Sequence, residues 1–177
     1  MVLPAWTLAA VRRDVLREGG GWVAGLALPI LVSHQTEEWV RPGGFLPFCN
    51  RQLLGSDRAD WPLTRRVAFH VNVTVGWTSA VAGWLLWRRT PTVAAGVLWM
   101  EAGNAAMHVG MAARKRHYNP GVASATLLMG AHAIAGARWI TRSGRLTRRT
   151  GVFAAGAGLA FAGLPVAMKL RMRRARA

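Results

Sequence analysis

Acidic residues and cysteine are both scarce in this chain. Its 177 residues include 7 Asp and Glu against 23 Lys and Arg, and a single cysteine, Cys49. One cysteine excludes an internal disulfide and any CxxC pair. The sequence also contains no internal repeat, low-complexity tract or glycine-rich phosphate loop, so we expect residues 1–177 to form one domain.

Charged residues are confined to short clusters, and long uncharged runs separate these clusters. With histidine counted as neutral and Glu101 as the one interruption, the runs cover 19–36, 67–87, 90–113, 118–137 and 150–168. Each is close to the roughly 20 residues that a helix needs to cross a bilayer. The pattern predicts an all-α, multi-pass membrane bundle of about five transmembrane helices. A soluble bundle with a very apolar core is the alternative.

Two segments lie outside these runs. Residues 1–18 are apolar and then basic, which predicts an interfacial N-terminal segment anchored by Trp6. Residues 40–66 form the longest polar connection, and we expect a surface loop that can act as a lid. The basic residues flank the apolar runs instead of forming one face, which favours anionic lipid headgroups over nucleic acid as partners. They are divided almost evenly between the two predicted sides, so orientation stays open.

A histidine and two glutamates follow the first apolar run. On a helix, His34 lies between Glu37 and Glu38 on one face, and the i, i+4 spacing of His34 and Glu38 lets both bind one ion. Carboxylates are costly at membrane depth unless a partner binds them. The alternative is that both glutamates mark the point where the helix meets water and pair with Arg41.

The third run carries a second polar set on one helical face. Glu101, Asn104 and His108 follow i, i+3, i+7 spacing within an arc of about 60°. A carboxylate at the depth of Glu101 must be protonated, paired with a cation or bound to a metal. In an up-and-down bundle, the first and third helices end at the same face. His70 also starts near that face and His132 lies near mid-depth, but each is alternatively a packed helix residue.

Three short motifs resemble those of a known family. His34-x-x-Glu37-Glu38, Asn104-Ala105-x-x-His108 and Tyr118-x-Pro120-Gly121 together look like the HXXEE family of bacterial and archaeal integral membrane proteins. The resemblance implies location in a bacterial or archaeal cell membrane and supports these positions as site residues, without supplying a reaction. Tyr118 is either catalytic or an aromatic anchor beside a plain turn.

The favoured hypothesis is a metal-dependent membrane enzyme, hydrolase-like, that acts on a lipid or other apolar small molecule. The expected metal ligands are His34, Glu38, His108 and His70, which suit zinc or iron. The expected catalytic residues are Glu37, Glu101, Asn104 and Tyr118, with Glu37 as base or further ligand and Asn104 orienting the substrate. Two alternatives stay open: a metal-free acid/base isomerase or cyclase of lipids or isoprenoids, and a small proton or cation transporter.

Overall fold

The computed structural model describes residues 20–175, apart from the side chain of Ala162. This part of the chain contains only helices and connecting loops, which confirms the all-α class. The helices, numbered here in chain order, are α1 (Trp22–Gly25 and Ala27–Trp39), α2 (Phe45–Phe48 and the π-helical Cys49–Leu53), α3 (Arg65–Phe69, the π-helical His70–Trp77 and Thr78–Leu86), α4 (Thr92–Lys115), α5 (Val122–Ser124, the π-helical Ala125–Gly130 and Ala131–Arg142) and α6 (Arg148–Ala162 and Leu164–Arg174). The predicted interfacial segment 1–18 lies outside the described residues.

The five long helices coincide with the five apolar runs. Local capping sets several of their ends. Thr64 begins α3, where its hydroxyl accepts from the Val67 amide, and Thr147 begins α6 by accepting from the Thr150 amide. Arg116, with φ +51°, ends α4 in the left-handed conformation, and its amide donates to the Ala112 carbonyl.

Helix α4 is the centre of the bundle and packs against α3, α5 and α6. Small residues let the backbones approach closely at these crossings. A Cβ atom added to Gly158 of α6 would lie 2.7 Å from Trp99 Cβ, and one added to Gly136 of α5 would lie 2.8 Å from Leu98 Cδ1. Gly158 therefore cannot carry a side chain without a shift of the α4 or α6 backbone, whereas the contact at Gly136 is with the movable end of the Leu98 side chain.

The apolar core shows that successive long helices alternate in direction. One cluster joins the starts of α1, α4 and α6 to the ends of α3 and α5; its buried members are Val23, Ala24, Trp87, Ala94, Ala95, Leu98, Ile140 and Ala154. The C-terminal ends of α1 and α4 consequently meet at the opposite end of the bundle, where the polar motifs lie.

Segment 40–66, which contains α2, covers that end of the bundle. The amide of Asn50, fully buried, holds it together: Nδ2 donates to the carbonyls of Ala59 and Leu63 at 2.8 Å each, and Oδ1 accepts from the Leu63 amide at 2.9 Å. Its buried Cys49 and Leu54 pack with Met172 of α6. The segment is therefore a folded cover with its own hydrogen-bond network.

Fewer helices of the described residues are long and apolar enough to span a membrane than the sequence predicts. Among the described residues, one helix is long and apolar enough to cross a bilayer: Arg148–Arg174, whose most apolar window has a mean hydropathy of 1.7. Five spans are not confirmed. Helix α1 is interrupted at Leu26, π-helical turns divide α3 and α5, and α4 carries Glu101, Asn104 and His108 in its interior.

Candidate functional site

Three buried side chains from two helices converge beneath segment 40–66. His34 and Glu38 come from α1 and His108 comes from α4, and their relative exposures are 1%, 4% and 1%. Glu38 Oε1 lies 3.3 Å from Nε2 of His34 and 3.3 Å from Nε2 of His108. The spacing of four residues between His34 and Glu38 places both on one face of α1, while the direction of α4 brings His108 to the same point.

The proton on His108 can be assigned from its neighbours. Its Nδ1 lies 2.6 Å from Oδ1 of Asn119, and Nδ2 of Asn119 donates to the His108 backbone carbonyl at 2.9 Å. The second bond fixes which end of the amide is oxygen, and an amide oxygen only accepts. Nδ1 of His108 therefore carries a proton and donates it, and Nε2 is the nitrogen of this ring that faces Glu38.

A similar chain of bonds fixes the tautomer of His34. The Ser124 hydroxyl donates to Glu37 Oε2 at 2.5 Å, so it accepts from His34 Nδ1, 3.0 Å away. Nε2 of His34 then bears a lone pair, and it accepts from Nδ2 of Asn104 at 2.8 Å. Nε2 is thus the nitrogen on the side of Glu38 in both imidazoles.

Three candidate ligand atoms thus lie close together in a buried space. Nε2 of His108 has no hydrogen-bond partner among the described residues, although it is within ion-pair distance of Glu38. The three candidate ligand atoms all lie within 4.8 Å of one another. Ligand atoms about 2 Å from a tetrahedral ion are roughly 3.3 Å apart. The two observed separations of 3.3 Å therefore fit a shared cation, and an acceptor at each Nδ1 is the usual support for a metal-binding histidine.

The two adjacent glutamates have different environments. Glu37 is turned towards the start of α5, where Oε1 accepts from the Tyr118 hydroxyl at 2.6 Å and from the Ala123 amide at 3.1 Å. Its Oε2 accepts from the Ser124 amide at 2.7 Å as well as from the Ser124 hydroxyl. Glu37 therefore joins α1 to the N-terminus of α5 and orients His34 through Ser124, a position that favours support of the site over direct ligation.

The glycine of the third motif lies against the cluster. Gly121 has φ +98°, and an added Cβ would lie 2.8 Å from Cε1 of both His34 and His108 and 2.9 Å from Glu38 Cγ. The backbone at the start of α5 thus forms one wall of the site at a distance that only glycine permits.

Asn104 contacts the cluster directly. Its Nδ2 donates to His34 and also lies 3.5 Å from Met129 Sδ. A metal ion on His34 would take the lone pair that Asn104 now engages, so the amide would have to turn or present its oxygen. This contact keeps Asn104 a candidate for orienting a bound molecule.

Glu101 forms a second polar pair deeper in the bundle. Its Oε2 lies 2.6 Å from Nδ1 of His132, and Nε2 of His132 donates to the Val23 carbonyl at 2.9 Å. Nε2 of His132 carries the proton that it donates to Val23. The short contact between Nδ1 and the Glu101 carboxyl group then holds one further proton, which the two groups share. His132 thus belongs to a polar pair with Glu101, and Glu101 does not join the His34–Glu38–His108 cluster.

His70 is not brought to the cluster. It is exposed on α3, and its Nδ1 lies 3.3 Å from the Thr74 hydroxyl, one turn further along the same helix. The expectation that His70 starts near this end of the bundle is met. Its side chain faces away because the rotation of α3 about its own axis, which the sequence did not reveal, turns that position outward.

A cavity of about 190 Å³ adjoins the cluster, and residues of α1, segment 40–66, α3, α4, α5 and α6 line it. Aliphatic, aromatic and methionine side chains form most of its wall, and the polar groups on it include His34, Glu38, Glu101 and Asn104. Cys49 also lines the cavity, but burial, and then the charge of Glu38, raises the pKa of its thiol to about 12. A thiol with that pKa is a poor nucleophile and a poor metal ligand at neutral pH.

Sequence reasoning missed two residues that support the histidines. Asn119 belongs to an Asn-Pro-Gly sequence, which predicts a turn. The fold of that turn brings the Asn119 side chain to His108, and the sequence does not reveal this contact. Ser124 lies in an apolar run and gives no local signal.

The fold and the site together define a helical protein with a buried cluster of two histidines and a glutamate, spaced so that it could hold a metal ion, at one end of its bundle. Residues 25–135 match the family model described as protein of unknown function with HXXEE motif. The match covers more than half of the chain, and the chain therefore belongs to the HXXEE family, as its motifs indicate. Neither the curated proteins nor the solved structures gave a match.

Proposed function

We propose that this protein is a metal-dependent membrane enzyme that acts on an apolar substrate bound in the cavity. One observation carries the proposal: Nε2 of His34, Nε2 of His108 and Oε1 of Glu38 meet in a buried space, with Glu38 Oε1 3.3 Å from each of the two nitrogens. Mixed imidazole and carboxylate ligation suits zinc or iron. Three protein ligands leave a coordination position free for water or substrate, as in catalytic sites.

Hydrolysis is the reaction that this arrangement suits best. A bound divalent metal ion supplies a polarised oxygen and water of lowered pKa. In hydrolysis, the water oxygen bonds to the carbonyl carbon, the bond to the leaving group breaks, and the water proton passes through a base to that leaving group. Glu101 is the carboxylate on the cavity wall outside the ligand set, and His132 shares a proton with it, so this pair is the proposed proton acceptor.

A membrane location with five spans is part of the proposal. Large apolar side chains are exposed on the outer faces of the bundle, including Leu85, Leu127, Phe153 and Leu159, whose exposures reach 67–72%. A lipid-facing surface accommodates such side chains without the free-energy cost that contact with water imposes. The basic clusters between the helices then contact anionic headgroups, and the cell membrane is the proposed location.

Metal content measured on variants of the full chain tests the proposal. Protein purified in detergent should contain one zinc or iron ion per chain, and His34→Ala and His108→Ala should lose it. His70→Ala is the matched control, because His70 is exposed and outside the cluster, and it should keep the metal. Equal metal content in all four proteins, or none in the wild type, would contradict the metal site.

A metal-free acid/base enzyme is the second candidate, because Glu101 and His132 share a proton independently of the three ligands. It predicts that substrate turnover survives removal of metal by a chelator and is lost in Glu101→Gln. The hypothesis of a metal-dependent enzyme predicts that a chelator abolishes turnover and that added zinc or iron restores turnover.

A further inference from the structure

Two N–H donors on the cavity wall have no hydrogen-bond partner within the described part of the chain. They are Nε2 of Gln35 and Nε1 of Trp39. A buried donor left unpaired costs about 1–3 kcal/mol. Two such donors beside one cavity therefore indicate that its occupant provides an acceptor.

The hydrogen bond from Trp77 shows which amide atom of Gln35 lacks a partner. Nε1 of Trp77 donates to Gln35 Oε1 at 2.7 Å, and an indole nitrogen can only donate. The bonded atom of Gln35 must then be oxygen, and the unpartnered atom is the NH₂ group. Gln35 is 9% exposed, so bulk water does not satisfy this group.

The donors lie next to two of the proposed metal ligands along α1. Gln35 directly follows His34, and Trp39 directly follows Glu38. Both pairs therefore have i, i+4 spacing, and the donors lie on a face rotated about 100° from the ligands. All four residues line the cavity, so a group bound to the donors also lies beside the ligand cluster.

The wall also restricts the charge and size of the occupant. No lysine or arginine of residues 20–175 lines the cavity, which disfavours phosphate and other multiply charged anions. Glu38 and Glu101 on the wall also disfavour binding of a negatively charged molecule, because like charges repel. The volume of about 190 Å³ is slightly larger than that of an engineered cavity of about 150 Å³ that binds benzene.

We propose that the cavity binds a neutral acyl compound, with Gln35 Nε2 and Trp39 Nε1 donating to its carbonyl oxygen. The short alkyl or ring part of the acyl group occupies the apolar wall between α4 and α6. This substrate class rests on the proposed function, since it places the acyl carbon beside the proposed metal. The two donors determine the selectivity for acyl compounds. Binding affinity measures this selectivity without any catalytic turnover.

The test measures binding of heptan-2-one, a neutral acyl compound that cannot be hydrolysed, to detergent-purified protein by calorimetry, with 1-methoxypentane as a neutral probe of equal length that lacks the carbonyl group. The wild type should bind the ketone, and the ether should bind at least about tenfold more weakly. Gln35→Leu and Trp39→Phe should each weaken ketone binding about tenfold, the equivalent of one hydrogen bond. Trp99→Phe is the matched control, because Trp99 is half exposed, lies outside the cavity wall and should not affect binding.

The outcomes separate this inference from the metal proposal. Each titration is run on protein with measured metal content and, in parallel, on His34→Ala. Ketone binding that depends on Gln35 and Trp39 in protein without metal supports the inference even where the metal site fails. Unchanged affinity in both variants, equal binding of the ether, or no binding of the ketone to wild type overturns it, whatever the metal content. Circular dichroism checks the fold of each variant, and Trp39→Phe keeps an aromatic ring at its position.

Discussion

Replacing Gly121 by alanine tests whether the backbone at the start of α5 defines the geometry of the His/Glu cluster. The new Cβ would lie 2.8 Å from Cε1 of His34 and His108, whereas ordinary contact begins at 3.4 Å. Each ring, or the backbone, must therefore move by about 0.6 Å (3.4 minus 2.8). Metal ligand distances tolerate only about 0.2 Å.

The expected cost has two parts. Alanine at φ +98° adds backbone strain of about 1–3 kcal/mol, and overpacking against the rings adds about 1–3 kcal/mol. Only the second part acts on the ligands. We therefore expect the affinity for zinc to fall about 10–100-fold, since each 1.4 kcal/mol corresponds to a factor of ten.

Competition with a chromophoric chelator measures this affinity. Gly44→Ala is the matched control, because Gly44 has φ +88° and no atom lies within 4 Å of its added Cβ. It should lose stability through strain and keep its zinc affinity. Wild-type affinity in Gly121→Ala, or equal losses in both variants, would refute the reasoning that Gly121 contacts the site.

Two further predictions concern side chains that hold the site in place. Asn119→Ala removes the acceptor of His108 Nδ1, and the same competition assay should show a zinc affinity about 10–100-fold lower; an unchanged affinity would mean that His108 needs no orienting partner. Asn50→Ala leaves the Leu63 amide and two carbonyls unpaired, and the free energy of unfolding in detergent should fall by about 3 kcal/mol. A loss below about 1 kcal/mol would show that segment 40–66 holds together without this network.

The helix positions and the three candidate ligands could be predicted from the sequence because both depend on local periodicity. Uncharged runs locate the long helices, and i, i+4 spacing pairs His34 with Glu38. Alternating helix directions then bring His108 to the same end. These inferences need the order and length of the helices but not the details of side-chain packing.

The remaining features depend on how each helix is rotated about its axis. Glu37 and Glu38 are about 100° apart on α1, and the sequence cannot tell which of them faces α4. His70 lies at the expected end of the bundle but on the outer face of α3. The contact between His34 and Ser124 joins residues 90 positions apart, so no local pattern predicts it. Composition also cannot distinguish a lipid-facing surface from a packed core.

The register between His34 and Glu38 has a consequence for how chains of this family can vary in length. Inserting or deleting one residue between them would turn Glu38 by about 100° about the α1 axis. Glu38 would then point away from His108, while Glu37 would lose the amides of α5 that it now binds. Length changes are therefore compatible with this cluster only outside residues 34–38, for example in the exposed connection between α5 and α6.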